Sequence, residues 1–489
     1  MAGMTVRKAT WVGRARMLAF FVLALLVSVL IGLVLEAKPA HAKTFAVNST
    51  GDNGDQSPGD GSCFTGTFIF NVGAECTLRA AIEEANAFAG ADTINFAIPG
   101  AAPHTISPGF QLPTITQRVT IDGYTESLDE STPASPNTAS TGTNAVLKIE
   151  LDGTNAGFSS GLLLSGAGAS NSVIRGLVIN KFFSFGIYLL GGTGYKIEGN
   201  FIGTDPSGTA AEANGNAVTI LASDSTIGGT TPDKRNLISG NKSHAIQVAG
   251  GSGNKIQGNL IGTKANGTEA LGNGVPSGGA GVIVGSSSNI IGDSDPSDGL
   301  TNAANVIAFN TYDGVAISGN TATGNRILSN SIFSNGKLGI ELFGGTEDAN
   351  GVTANDPDDP NTSKPDPDKD TGPNRLQNYP VLDLIQKLAG DTTITVTGDL
   401  NSTPSTRKKK RTFIIQFFSS PASSSEEGKT FLGQRVVKTD RKGNASFDFV
   451  SPQDVSLGDY VTATATNKAT GDTSEFSAAQ RVEGLVIGP

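Results

Sequence analysis

Short apolar segments separated by Gly, Asn and Ser recur through most of the chain, and between residues 171 and 345 they recur with a period. Six segments align, at 186–190, 217–221, 245–249, 281–284, 314–317 and 339–342. Their equivalent residues Ile187, Val218, Ile246, Val282, Val315 and Ile340 lie 31, 28, 36, 33 and 25 positions apart. A period of this size marks a solenoid. Each segment is too short for a helical repeat, which needs about ten periodic residues per element, and proline falls in the loops. The pattern predicts parallel strands stacked about 4.8 Å apart, with Ile and Val pointing inward. The clearest copy is Tyr195-Lys-Ile-Glu-Gly-Asn-Phe-Ile-Gly-Thr204, which returns as Asn254-Lys-Ile-Gln-Gly-Asn-Leu-Ile-Gly-Thr263, an offset of 59. Asn180, Asn200, Asn241, Asn259, Asn310 and Asn330 fall at the corners. Asn tolerates left-handed turns, and its amide can ladder along a stack. Long turns at 203–215 and 262–274 lie on one side, where solenoids place binding loops.

The flanks follow other patterns. In 43–100, apolar residues Leu78, Ala81, Ile82, Ala85 and Phe88 make one stripe of a helix that begins at Thr77, a good N-cap, and stops at Gly90. A helix there, before a repeat array, predicts an end cap over the exposed first coil. The array proper spans 101–345. Residues 346–380 are rich in Asp and Pro and predict a linker. From 381 to 489, strands at 393–397, 412–418, 431–437, 445–449 and 460–465 alternate with turn signals and predict a β-sandwich. The fold class is all-β: a parallel β-helix with a small helix-containing N-terminal cap and a C-terminal sandwich, its right hand being what the resemblance given below implies.

Composition agrees. Among 489 residues, 63 are Gly, 37% are hydrophobic and 16% charged, which suits a turn-dense β protein. A net charge of −10 argues against a nucleic-acid partner, since phosphate binding wants a basic face. Residues 1–42 form a signal peptide: a basic start (Arg7, Lys8, Arg14, Arg16), an uncharged apolar run at 17–35, and the cleavage site Ala40-His41-Ala42. The alternative is an uncleaved membrane anchor, and in that case alone is a membrane a partner. The expected location is extracellular or at the cell surface. There Cys63 and Cys76 are expected to form a disulfide, with two free thiols as the other reading.

Cys76-Thr-Leu-Arg-Ala-Ala-Ile82, with Glu84-Ala-Asn-Ala87 and Ala91-Asp-Thr-Ile94, resembles the bacterial CSLREA domain. Ala80 stands where that family has Glu. The segments at 111–116, 119–124, 149–153 and 174–180 also resemble early coils of the secreted right-handed β-helix proteins that carry this domain. The C-terminal region resembles the immunoglobulin-like modules that follow such helices. The resemblance implies an exported surface protein.

Chemistry is less marked. A glycosidase needs two carboxyls at a set separation, yet acids do not repeat from coil to coil: Glu198 aligns with Gln257, and Asp205 with Lys264. His41, His104 and His244 are the only histidines, and nothing gathers Arg175, Lys181, Arg235 and Lys255 with carboxylates. The reading is adhesion or glycan binding without catalysis, with an extracellular glycan or cell-surface polymer as partner. The alternative is a polysaccharide lyase or glycoside hydrolase. Phe183, Phe185, Tyr188 and Tyr195 form the candidate sugar platform, against stacked core rings as the plain reading. No cofactor is called for except calcium: Asp356, Asp358, Asp359, Asp366, Asp368 and Asp370 supply hard oxygen ligands, against a solvated linker. The basic run 407–411 reads as a solvated turn, or as a contact with an anionic polymer.

Overall fold

A computed structural model describes residues 41–88, 90–126, 133–294, 303–349, 351–355, 371–388, 390, 392–406, 410–421 and 426–485. Lys43–Pro489 is one compact unit, separate from Met1–Ala42. Its main body is a right-handed parallel β-helix with three sheets, holding nine, eight and seven strands among the described residues. The first sheet runs from Thr44–Val47 to Arg326–Leu328, the second from His104–Ile106 to Ser331–Phe333, and the third from Leu162–Ser165 to Ile340–Leu342.

Register explains why the periodic sequence folds this way. In the first sheet Ile94, Ile121, Ile174, Ile197, Ile227, Ile256, Ile291 and Ile327 are successive partners. The second sheet stacks Leu151, Ile179, Ile202, Ile238, Ile261, Ile307 and Ile332 in the same way. All are buried in one continuous core. β-Branched side chains suit this geometry because each packs on its equivalent one coil away with little rotamer freedom left to lose.

Polar ladders close the three corners. Between the first and second sheets, Asn200, Asn236, Asn259, Asn305 and Asn330 pass a hydrogen bond from each Nδ2 to the next Oδ1 at 3.2, 2.9, 2.9 and 2.9 Å. Between the second and third, the row is Asn214, Asn241, Asn273, Asn310 and Asn335, at 3.1, 2.9, 2.9 and 3.0 Å. Between the third and first, it is Asn254, Asn289 and Asn325, at 3.1 and 3.0 Å. The same Oδ1 atoms accept backbone N–H groups, so each corner satisfies donors that the sheets leave over. Asn180 stands apart and donates to the Glu150 carboxylate at 2.8 Å.

The cap and the sandwich cover the two ends. Thr77 caps the helix Leu78–Ala87 by accepting from the Ala80 N–H at 3.1 Å. Where the CSLREA pattern has Glu, Ala80 packs in the core, and the cap's ion pair is Arg79–Asp52 at 2.9 Å. Cys63 and Cys76 form a disulfide. The C-terminal sandwich has two four-stranded sheets, built on Thr395–Asn401 and Thr412–Ser420, around stacked Phe417 and Phe449. Its Phe418 and Phe476 belong to the solenoid core. Its polar side chains take the edge groups of the last coil. Gly428 pairs with Ile332. Thr473 Oγ1 accepts from the Ile327 N–H at 3.0 Å, Gln416 from Ser329 at 2.9 Å, and Glu475 from Leu342 at 2.8 Å. The sandwich therefore ends the solenoid by bonding to all three terminal strands, which removes the open edge that stacked strands otherwise present.

Candidate functional site

One of the three outer faces is covered. On the second sheet, Leu147, Val178, Phe201, Leu237 and Leu260 point outward and form a small core of their own. The long turns at 203–215 and 262–274 fold over this row, with Ala265 packed on it and bonded to Gly208 at 2.9 Å. These turns, expected as binding loops, serve as a cover. Three of the four scattered cations are also engaged, two of them with carboxylates that the sequence did not bring near. Arg175 pairs with Asp122 at 2.5 Å and Lys181 with Asp152 at 3.1 Å, across coils. Arg235 donates to the carbonyls of Gly258, Ala139, Gly142 and Ser140.

The outer face of the third sheet is different. One row of partners crosses seven coils: Leu163, Tyr188, Thr219, Gln247, Ile283, Ala316 and Glu341. At about 4.8 Å per coil it is roughly 30 Å long. Aromatic residues gather at its N-terminal end. Phe185 lies 4.8 Å from Tyr188, centroid to centroid. At the adjoining corner Phe158 and Phe183 meet edge to face at 4.4 Å, 84% and 56% exposed. Amides follow: Phe185 pairs with Asn216, whose Nδ2 donates to Gln247 Oε1 at 2.9 Å. Three of the four candidate rings thus lie at this end in two pairs, Phe185 with Tyr188 and Phe183 with Phe158, the last of which sequence reading did not single out. Tyr195 does not. Its ring is fully buried at the base of a first-sheet strand, and its hydroxyl donates to Gly166 O at 3.4 Å. An aromatic in a copied corner fills the stack, and the sequence alone does not tell it from one two turns away that faces water.

At the C-terminal end of the face the chemistry is acidic. Glu341 is only 7% exposed, and its Oε1 is buried without a hydrogen-bond partner among the described residues. Burial, with the neighbouring charges of Glu475, Asp313 and Glu347, pushes its carboxyl up to about 8. Burial likewise pushes Glu475 up to about 7, although both its oxygens accept backbone N–H groups, from Leu342 and Thr353. Asp313 is raised by burial. His244 lies next to the Asn216–Ile220 strand. Its Nδ1 accepts from the Ala280 N–H at 3.1 Å, and burial lowers its pKa, so the ring is neutral with its proton on Nε2. Such a face can stack an extended chain on rings at one end and hydrogen-bond it along the middle, and it carries at the other a buried carboxyl whose pKa is raised.

Among the described residues no three acids, histidines or cysteines are grouped to hold a metal. Asp356, Asp358, Asp359, Asp366, Asp368 and Asp370 all lie outside the described residues, as do residues 407–409 of the basic run. No described helix is long and apolar enough to cross a membrane.

No family model and no curated protein matches the chain. Among solved structures, it is similar to tailspike protein 2 of Escherichia coli O157:H7 bacteriophage CAB120, at 11% identity and a TM-score of 0.25, covering 91% of this chain and 60% of the tailspike. It is also similar to tailspike protein gp49 of Acinetobacter baumannii bacteriophage Fri1, a capsular polysaccharide depolymerase, at 10% identity and a TM-score of 0.14, covering 84% and 73%. Neither superposition is close enough to bear on function, and the assignment of a parallel β-helix rests on the strand register itself.

Proposed function

We propose that this is an exported surface protein that binds an extracellular glycan along the outer face of its third sheet. The observation that supports this is the row of solvent-facing rings, Phe158, Phe183, Phe185 and Tyr188, leading into the amides of Asn216 and Gln247. Sugar rings offer C–H faces that stack on aromatics and hydroxyls that pair with amides. A linear polymer laid along the sheet meets an equivalent position every coil. The test is a glycan array followed by calorimetry on the best ligand. Phe183→Ala and Tyr188→Ala are each expected to weaken binding about tenfold, without change in fold. Unaltered affinity in both variants would remove this face from the reading.

A second reading is favoured by one observation. Glu341 is buried beside Glu475, Asp313 and Glu347, which pushes its carboxyl up to about 8, the direction a general acid needs. In that case the same glycan is cleaved at the acidic end, and the protein is a depolymerase. Incubation with the bound glycan and assay for new reducing ends or unsaturated products separates the two. Turnover abolished by Glu341→Gln, with binding retained, would replace adhesion by hydrolysis or elimination.

A further inference from the structure

The disulfide of the N-terminal cap encloses a β-hairpin that is tied to the cap at its base, where Asn48 Nδ2 donates to Ala74 O at 2.9 Å, and whose tip stands clear of the rest of the described fold. Thr65 N–H donates to Glu75 O at 3.1 Å and Glu75 N–H to Thr67 O at 2.9 Å, and Phe68–Ile69 pairs antiparallel with Gly73–Ala74. The tip turns at Asn71, whose φ is 62°. Cys63–Cys76 ties its base. The hairpin is therefore a braced finger. Its end is apolar and faces outward: Phe68 is 74% exposed and Phe70 88%, with Val72 beside them. Phe64 supports Phe68 from below, with 5.0 Å between centroids.

Two features limit what such a tip can meet. Residues 64–74 contain no charged side chain, in a protein of net charge −10. The first acid, Glu75, is turned inward, where Ser49, Asn53 and Thr65 donate to it. Nor are the exposed rings spare core, since the cap already buries Phe45, Val47, Leu78, Ile82 and Phe96 without them. An uncharged tip with its hairpin backbone largely paired enters a lipid interface at low cost, because few polar groups are left to desolvate and the rings gain by leaving water.

We propose that the Phe68–Val72 finger is a lipid anchor, which seats the N-terminal end of the protein on a membrane of neutral phospholipid. Neutral headgroups suffice because the finger offers no Lys or Arg to anionic ones. The site is independent of the glycan face and stands or falls without it.

The only tryptophan is Trp11, so the compact unit Lys43–Pro489 carries none, and Phe70→Trp places a single fluorophore at the tip. Phosphatidylcholine vesicles are expected to shift its emission to the blue, and lipids brominated in the upper acyl chain to quench it. In flotation assays, Phe68→Ser with Phe70→Ser is expected to lower vesicle binding of the same unit by about 100-fold or more. Both side chains are exposed, so the thermal melt followed by circular dichroism should match the parent. Emission unmoved by neutral vesicles overturns the proposal, as does a shift seen only with anionic vesicles. A blue shift that grows with protein concentration in the absence of lipid also overturns it, and would assign the finger to a second copy of the chain.

Discussion

Replacing Glu341 by Gln tests whether the acidic end of the face is held against the interest of the fold. The side chain keeps its shape and loses its charge. In the folded protein its carboxyl titrates near 8, against an ordinary value of 4.5. Each unit of displacement corresponds to about 1.4 kcal/mol. A raised folded pKa means that stability is greatest below 4.5, where both states are protonated, and falls as the pH rises towards 8, because the unfolded chain ionises first. At pH 7 this residue therefore costs about 3 kcal/mol, and above pH 8 the full cost is about 5 kcal/mol. Glu341→Gln should leave stability at pH 4 nearly unchanged and raise it by ~3 kcal/mol at pH 7. Urea titrations followed by circular dichroism at pH 4, 7 and 9 give the comparison. If the variant and parent show parallel pH profiles, or if the variant is the less stable at pH 7, then Glu341 is not a neutral, unpartnered acid, and the reading of it as a poised proton donor goes too. A residue that weakens its own fold in this way is expected where function retains it.

Two further outcomes concern the frame. Asn259→Ala deletes a corner amide that donates to Ile227 O and to Asn305 at 2.9 Å each and accepts from Asn236 at 2.9 Å; the orphaned partners should cost about 2–4 kcal/mol, read as a lower urea midpoint. Replacing Cys63 and Cys76 by Ser opens a loop with a sequence separation of 13, and should lower the stability of the cap by ~3 kcal/mol, seen as earlier proteolysis near the finger with the third-sheet face unaffected.

The solenoid was legible because its causes repeat in the sequence. An Ile must return wherever a coil closes, and Ile197 and Ile256 sit two coils apart in one stack, with Ile227 between them. Asn200 and Asn259 likewise share one ladder, whereas Asn241 and Asn310 belong to another, and Asn236, Asn273 and Asn289 carry equal roles inside less regular segments. The site was less legible because its contacts join distant residues. The Arg175–Asp122 pair spans 53 positions and shows no local spacing. Phe158 precedes its coil in a loop with no copy elsewhere, so its meeting with Phe183 is a consequence of stacking alone. Glu341 reads as one more polar position in a strand, and its environment comes from Glu475 in the sandwich, reached only by folding. The role of the sandwich as a terminus was hidden for the same reason: Glu427, Gln416 and Thr473 are ordinary strand and turn residues until they meet the last coil.

The corner ladders also give the protein a direction. In each row the amide donates toward the C-terminal end, so every coil presents an acceptor to the coil before it and a donor to the coil after it. The row from Asn214 to Asn335 runs out into Glu427, whose carboxylate accepts from the Asn335 side chain at 3.2 Å and has no proton to pass on while ionised. The row from Asn254 to Asn325 ends at Asn374, which accepts the Asn325 N–H at 2.9 Å. The array thus behaves as a polar filament with a start and a stop. Interior coils are interchangeable units with matching upper and lower faces, so whole turns can be gained or lost in the middle without disturbing either end. The length of the outer row on the third sheet is then a free variable of evolution, while the terminus that closes it is not.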